Sequence, residues 1–364
     1  MTDWWTEGPA FATAAGLSGG IVGPICTRVA TLVCELLAAL FCAATPAVAD
    51  SRKVEYQFVD LGSRTGIVAI NDSGEVAGYN VDDGSSFLRE PDGTVVSFTV
   101  SGACTTIPSG INERGLIVGT ADMGDGCYGP LTRVGFLRAR DGTVTTFPGL
   151  QGWKQIGPDS VDTKGAVVGL YFEVNGPQWP FIRRPDGVLR RYKALGDARV
   201  FSIALNNKGA ITGSYSDDRL HGFVQATDGT LTMFSAPDGT DILPIAINRD
   251  GWIVGMCGAG LTQSFVRDPL GTVILLGRNL YADSINRSGA ISGRWGGGGK
   301  SAFVRSSDGK LVKIPPPGQY DRIQSAYINQ DEVLAGTLTR GSSATEHGFV
   351  AYPQRARNAH TTLH

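Results

Sequence analysis

Asn71-Asp72-Ser73-Gly74-Glu75-Val76-Ala77-Gly78 is the first of seven copies of one short phrase. The frame Asn-x-x-Gly-x-Ile/Val-x-Gly returns at Asn112, Asp162, Asn206, Asn248, Asn286 and Asn329; the third copy opens on Asp, and the seventh has Glu332 at the first Gly position and Leu334 at the branched one. The copies start 41, 50, 44, 42, 38 and 43 residues apart. A period near forty, with four short strand-like runs in each unit, is the mark of a β-propeller. The sequence therefore predicts an all-β chain: seven four-stranded antiparallel blades in a ring.

In the first unit the runs are Thr65–Ile70 (strand a), Glu75–Tyr79 (b), Ser86–Arg89 (c) and Thr94–Phe98 (d). The a–b turn is Asn-x-x-Gly: the Asn side chain can bond the backbone two residues on, and Gly supplies a positive φ. The c–d turn is usually Asp-Gly, as at Asp92-Gly93, Asp141-Gly142, Asp186-Gly187, Asp228-Gly229 and Asp308-Gly309, a pair suited to a tight hairpin. No sustained 3.6-residue period predicts a helix in the repeats. Strand c carries Phe in every unit (Phe87, Phe136, Phe181, Phe223, Phe265, Phe303, Phe349), which reads as packing between neighbouring blades. The Gly that closes the phrase, Gly78 through Gly336, reads as a bulge or a close backbone approach.

The seventh unit stops at Phe349-Val350-Ala351-Tyr352 and lacks a d strand, whereas a surplus strand, Val54–Leu61, precedes the first unit. We expect the N-terminal strand to complete the last blade and close the ring, which removes exposed sheet edges. This sets the domains: residues 1–49 a leader and signal peptide, 50–353 the propeller, 354–364 a disordered C-terminal tail. The apolar run of residues 29–44 is preceded by Arg28 and followed by Ala47-Val48-Ala49, the plan of a signal peptide cleaved after Ala49. The run falls short of the ~20 residues a membrane span needs, and Glu35 interrupts it. No stable membrane insertion is expected after cleavage. Asp3 and Glu7 fit poorly in such a leader and suggest a translation start further in, near Val22. The 50 Gly residues are turn chemistry, and a net charge of −2 gives no electrostatic case for nucleic acid. In an oxidising compartment Cys104 and Cys127, which flank the a–b hairpin of the second blade, are a disulfide candidate. Cys257 is then left over and reads as a small buried hydrophobe.

His221-Gly222-Phe223, His347-Gly348-Phe349 and Ser301-Ala302-Phe303, with the preceding Asn-x-x-Gly phrase and the following Asp-Gly-Thr, resemble the His-Ala-Phe signature of the bacterial extracellular HAF-repeat proteins. The resemblance spans residues 54–352 and implies a repeat fold and a secreted, periplasmic or cell-surface location. Val134, Trp179 and Gln263 replace the His in three units, so the resemblance assigns that His no role.

No nucleophile elbow, zinc-binding helix or phosphate-binding loop is present. Accordingly no catalytic residue, metal or cofactor is assigned. Asp82/Asp83, Asp217/Asp218 and Asp122/Asp125 are acidic pairs whose loop oxygens could hold calcium, but they lack an EF-hand spacing and read equally well as solvated turns. Asp159 and Asp283 hold equivalent places in strand a and face the channel if strand a lines the axis. In an antiparallel blade the a–b and c–d turns share one face of the disc, and the b–c and d–a connections share the other. The second set varies most in length and carries Trp153, Trp179, Trp295, Tyr128 and Tyr320, with Trp252 alone on a strand. Variable loops on a rigid scaffold usually do the binding. These five aromatics are the candidate ligand-binding residues, with Trp153 and Trp179 at the centre. The expected function is a non-catalytic, exported binding module for a cell-surface polymer, a small ligand or a protein. The alternative is a propeller enzyme, a lyase or glycan-active hydrolase, using acidic residues on the same face.

Overall fold

The computed structural model describes residues 54–354, apart from 125–126, 128–130, 150–154, 173–177 and 341–344. The expected leader, and the expected tail beyond Gln354, lie outside the described residues; Gln354 itself ends the last strand. The described residues form seven four-stranded antiparallel sheets arranged as a β-propeller. Six blades use four consecutive strands; the first is Thr65–Ile70, Val76–Asn80, Ser86–Arg89 and Val95–Phe98. In the seventh, Arg322–Ile328, Leu334–Thr339 and Glu346–Gln354 are completed on the outside by Glu55–Ser63. That strand pairs antiparallel with Glu346–Gln354, Phe58 facing Ala351, and the Phe58 ring lies 5.2 Å from that of Phe349.

Strand a is innermost, because each strand a touches the strands a of the neighbouring blades. Strand d is outermost, and its side chains are largely exposed, as in Val95–Phe98. The cores lie between blades, and the strand-c Phe residues fill them: six are fully buried and Phe87 is 7% exposed. Burying each stabilises the fold by roughly 1.5–3 kcal/mol.

The closing Gly of the phrase pairs directly with this Phe in all seven blades, Gly78 with Phe87 through Gly336 with Phe349. Every strand a also contains a β-bulge, at Val68, Ser109, Asp159, Phe201, Ile245, Asp283 and Gln324. The bulge brings a strand-a carbonyl against the Gly. A Cβ on Gly78 would stand 2.6 Å from the Gly66 oxygen, and at the other six it would be closer still to its carbonyl. The Gly recurs because a bulged backbone and an aromatic ring both occupy the space of a side chain.

The motif Asn holds blade to blade. Its Oδ1 accepts N–H groups of its own turn, as Asn206 does from Lys208 and Ala210. Its Nδ2 donates to the backbone carbonyl of the next blade's motif residue: Asn71 to Asn112 (3.0 Å), Asn112 to Asp162 (2.7 Å), Asn206 to Asn248 (2.9 Å), Asn248 to Asn286 (3.0 Å) and Asn286 to Asn329 (2.9 Å). Asp162, with no Nδ2 to donate, makes only the local half of this arrangement; there Thr163 Oγ1 donates to the Asn207 carbonyl at 3.0 Å.

Candidate functional site

The inner strands deliver their last residues and their a–b turns to one end of the axis. A cavity of about 620 Å³ opens there. Its collar is aliphatic, one side chain from each blade: Ile70, Ile111, Val161, Leu205, Ile247, Ile285 and Ile328, each immediately before the motif Asn or Asp. Above the collar stand the first variable residues of the Asn-x-x-Gly turns: Asp72, Glu113, Thr163, Asn207, Arg249 and Arg287 from blades one to six. Arg114 and Lys208, at the second variable position, also line the cavity.

The turns fix these groups at constant spacing while their chemistry changes around the ring. Blades one and two present carboxyls, three and four neutral polar groups, five and six guanidiniums. Glu113 Oε2 accepts the Asp72 N–H at 2.9 Å, and Asp72 Oδ1 accepts the Gln330 N–H at 2.9 Å. Burial first, then the neighbouring Asp72 carboxylate, pushes the Glu113 carboxyl above its ordinary value, despite the hydrogen bond it accepts. Burial likewise raises Asp72, partly offset by the Gln330 N–H and by Arg287. Lys208 is bound to Asp250 at 3.1 Å. Among the described residues the guanidiniums of Arg114, Arg249 and Arg287 make no ion pair and no hydrogen bond.

Beneath the cavity two of the bulge residues are acids. Asp159 is reached by water along the axis but lies deep among protein atoms, and this desolvation pushes its carboxyl up to about 7. Asp283 is pushed up to about 6 by burial, although Arg294 (3.2 Å) and the Ala326 N–H (3.1 Å) favour its charged form. Local satisfaction thus accounts for Asp283; among the described residues Asp159 has no partner.

Of the sequence-predicted aromatics, the described ones, Trp179, Trp295 and Tyr320, do not line this cavity. Trp153 and Tyr128 lie outside the described residues. Trp179 lies within a strand, Gln178–Arg183, because its hairpin stays paired for longer than expected, Trp179 facing Tyr171. The Arg191 guanidinium covers its ring at 3.7 Å. Trp295 ends the strand Ile291–Trp295 and packs on the core between blades five and six. Trp252, expected on a strand, instead precedes Ile253–Cys257. Tyr320 does sit in a loop, but it is buried, and its hydroxyl bonds Asp60 Oδ2 (2.5 Å) and His347 Nδ1 (2.9 Å). It fastens the closing strand and offers no free contact area.

Cys104 and Cys127 form a disulfide. Cys257 is buried, and desolvation pushes its thiol up to about 11, which keeps it unreactive. Asp82 is paired with Arg64, and Asp122 with Arg133 at 2.7 Å. Asp217 and Asp218 are exposed around His221. Among the described residues no helix is long and apolar enough to cross a membrane.

Sequence reasoning missed the cavity because it looked for loops that vary in length. The signal was variation in chemistry at one position of a turn whose length does not change.

No protein-family model matches the chain, and no curated protein matches it in sequence. Solved structures do resemble it. A streptogramin B lyase superposes with a TM-score of 0.55 at 13% identity over 81% of this chain and 97% of that one. The virginiamycin B lyase from Staphylococcus aureus gives 0.54 at 12% identity, over 81% and 99%. A puromycin hydrolase gives 0.51 at 15% identity, over 76% of this chain and half (50%) of that one. At such identities the likeness is one of fold.

Proposed function

We propose that this propeller is a binding module, and that it takes a small polar ligand in the axial cavity at the a–b turn end. The observation that carries this is the cavity itself. Its volume lies in the ordinary range of ligand sites. Its collar is aliphatic and its rim is charged, and among the described residues two rim guanidiniums, Arg249 and Arg287, have no hydrogen-bond or ion-pair partner. The signal-peptide plan and the HAF-repeat resemblance support an exported protein, secreted, periplasmic or at the cell surface. The loop-rich face with Trp179 is the competing surface.

A second reading is enzymatic. Carboxyls raised by burial beside cations suit general acid–base chemistry, which keeps a lyase or hydrolase open. The test is a metabolite and glycan screen by thermal shift on the parent and on Arg249→Ala/Arg287→Ala and Trp179→Ala variants. The expected result is hits that vanish in the Arg double variant and survive in Trp179→Ala. Hits sensitive only to Trp179→Ala would refute the axial site. Chromatography of each hit after incubation decides between binding and turnover.

A further inference from the structure

The chemistry of the rim is ordered, and the order specifies a ligand. The acidic first-position residues, Asp72 and Glu113, are adjacent on blades one and two; the basic ones, Arg249 and Arg287, are adjacent on blades five and six. The longer arc between them, Thr163 and Asn207, is neutral; on the shorter arc only blade seven, with Gln330, separates Arg287 from Asp72, and Arg287 favours the Asp72 carboxylate across it. Of the three cations at the second position, Lys164 does not line the cavity and Lys208 is occupied by Asp250. Arg114, next to Glu113 in the chain, is exposed, and it brings one positive charge to a side that carries two carboxyls. One side of the cavity mouth is therefore anionic and another is cationic, above an aliphatic collar.

A simple anion would meet Arg249 and Arg287 but would face the two carboxylates without a match. A simple cation would meet the reverse. Charges facing a partner of the same sign cost affinity, and that is how sites reject the wrong ligand. A guanidinium is well suited to grip a carboxylate, with two parallel N–H···O bonds. A carboxylate pair is the natural receiver of an ammonium.

We infer that the cavity takes a small zwitterion, its ammonium against Asp72 and Glu113 and its carboxylate against Arg249 and Arg287. A free amino acid or a short peptide with both termini open has this chemistry. The inference rests on the cavity being the ligand site, and it adds which ligand class the site selects.

The test is calorimetric titration of the full chain with trialanine, N-acetyl-trialanine, trialanine amide and inorganic phosphate. Free trialanine is expected to bind, and each end-blocked form to bind about tenfold more weakly or worse, since each leaves one charged wall unmatched. Glu113→Gln should erase the discrimination against the acetylated peptide, and Arg249→Gln/Arg287→Gln the discrimination against the amide. Asp141→Asn, on a c–d turn, is the control for net charge, and thermal unfolding confirms that each variant is folded. Equal or tighter binding of the acetylated peptide, or of the amide, would overturn the zwitterion inference and leave the cavity as a simpler ion site. If no peptide binds, the inference also falls; phosphate binding that disappears in the Arg double variant would then still uphold the cavity as a site. Absence of binding by every probe would count against both.

Discussion

At the residue scale, two recurring letters explain each other. The closing Gly and the strand-c Phe are partners across one pair of strands, and the ring needs the room that a side chain would fill. Gly255→Ala should therefore destabilise by about 1–3 kcal/mol, as overpacking does, because its Cβ would run into the Leu243 carbonyl oxygen. A urea midpoint equal to the parent's would show that the backbone can yield. The motif Asn makes the opposite kind of prediction at the one copy that departs from it. Asp162→Asn adds a donor aimed at the Asn206 carbonyl and should stabilise by about 0.5–1.5 kcal/mol; an unchanged or lower midpoint would count against the interblade belt. Asp159 gives a pH signature. Its folded value of about 7 lies above the ordinary 3.8, so the folded chain holds this proton more tightly than the unfolded one. The stability it contributes is complete below about pH 4 and is lost as pH rises through about 7. Asp159→Asn should flatten this decline and leave the variant more stable than the parent at pH 8. Parallel melting profiles of the two proteins across that window would show that Asp159 is not desolvated.

At the scale of elements, the seven repeats made much readable: strand number, and the N-terminal strand as the missing d strand. Each followed from counting, because a blade cannot bury its faces or finish its sheet alone. Strand ends were less legible. Trp179 and Trp295 were expected in loops, but hairpin pairing extends the strands to include them, and no local residue signals where pairing stops. The closing strand is held by more than its ladder: burial disfavours the Asp60 carboxylate, but hydrogen bonds from Tyr320, the Gly62 N–H and His347 outweigh this and keep its carboxyl below the usual range. Removing residues 51–62 should lower the melting temperature or yield aggregates. Equal stability of the truncated chain would refute closure by this strand. Cys104→Ser/Cys127→Ser should cost about 2–4 kcal/mol, read as a lower denaturant midpoint under non-reducing conditions. A mutant as stable as the parent would mean that the bridge constrains little.

At the scale of the whole molecule, the repeat that made the fold legible also hid the axial cavity. The a–b turns are uniform in length because the Asn belt needs them so, and uniformity reads as scaffold. Yet a uniform turn repeated around an axis aims its first free position, Asp72 through Arg287, at one cavity. The residues that differ there, in an otherwise constant phrase, are not held to one side-chain type by the turn, although Asp72, Glu113 and Thr163 also bond a neighbouring blade. Long aromatic loops drew attention to the other face, where Trp179 is already covered by Arg191 and Tyr320 is buried. The central claim is that recognition occurs in the axial cavity. Crystallographic fragment soaking tests it most directly, since it samples both faces of one molecule at once. We predict that polar and zwitterionic fragments collect between Asp72, Glu113, Arg249 and Arg287. Fragments gathered instead around Trp179 and Trp295, with the axial cavity holding only solvent, would contradict it.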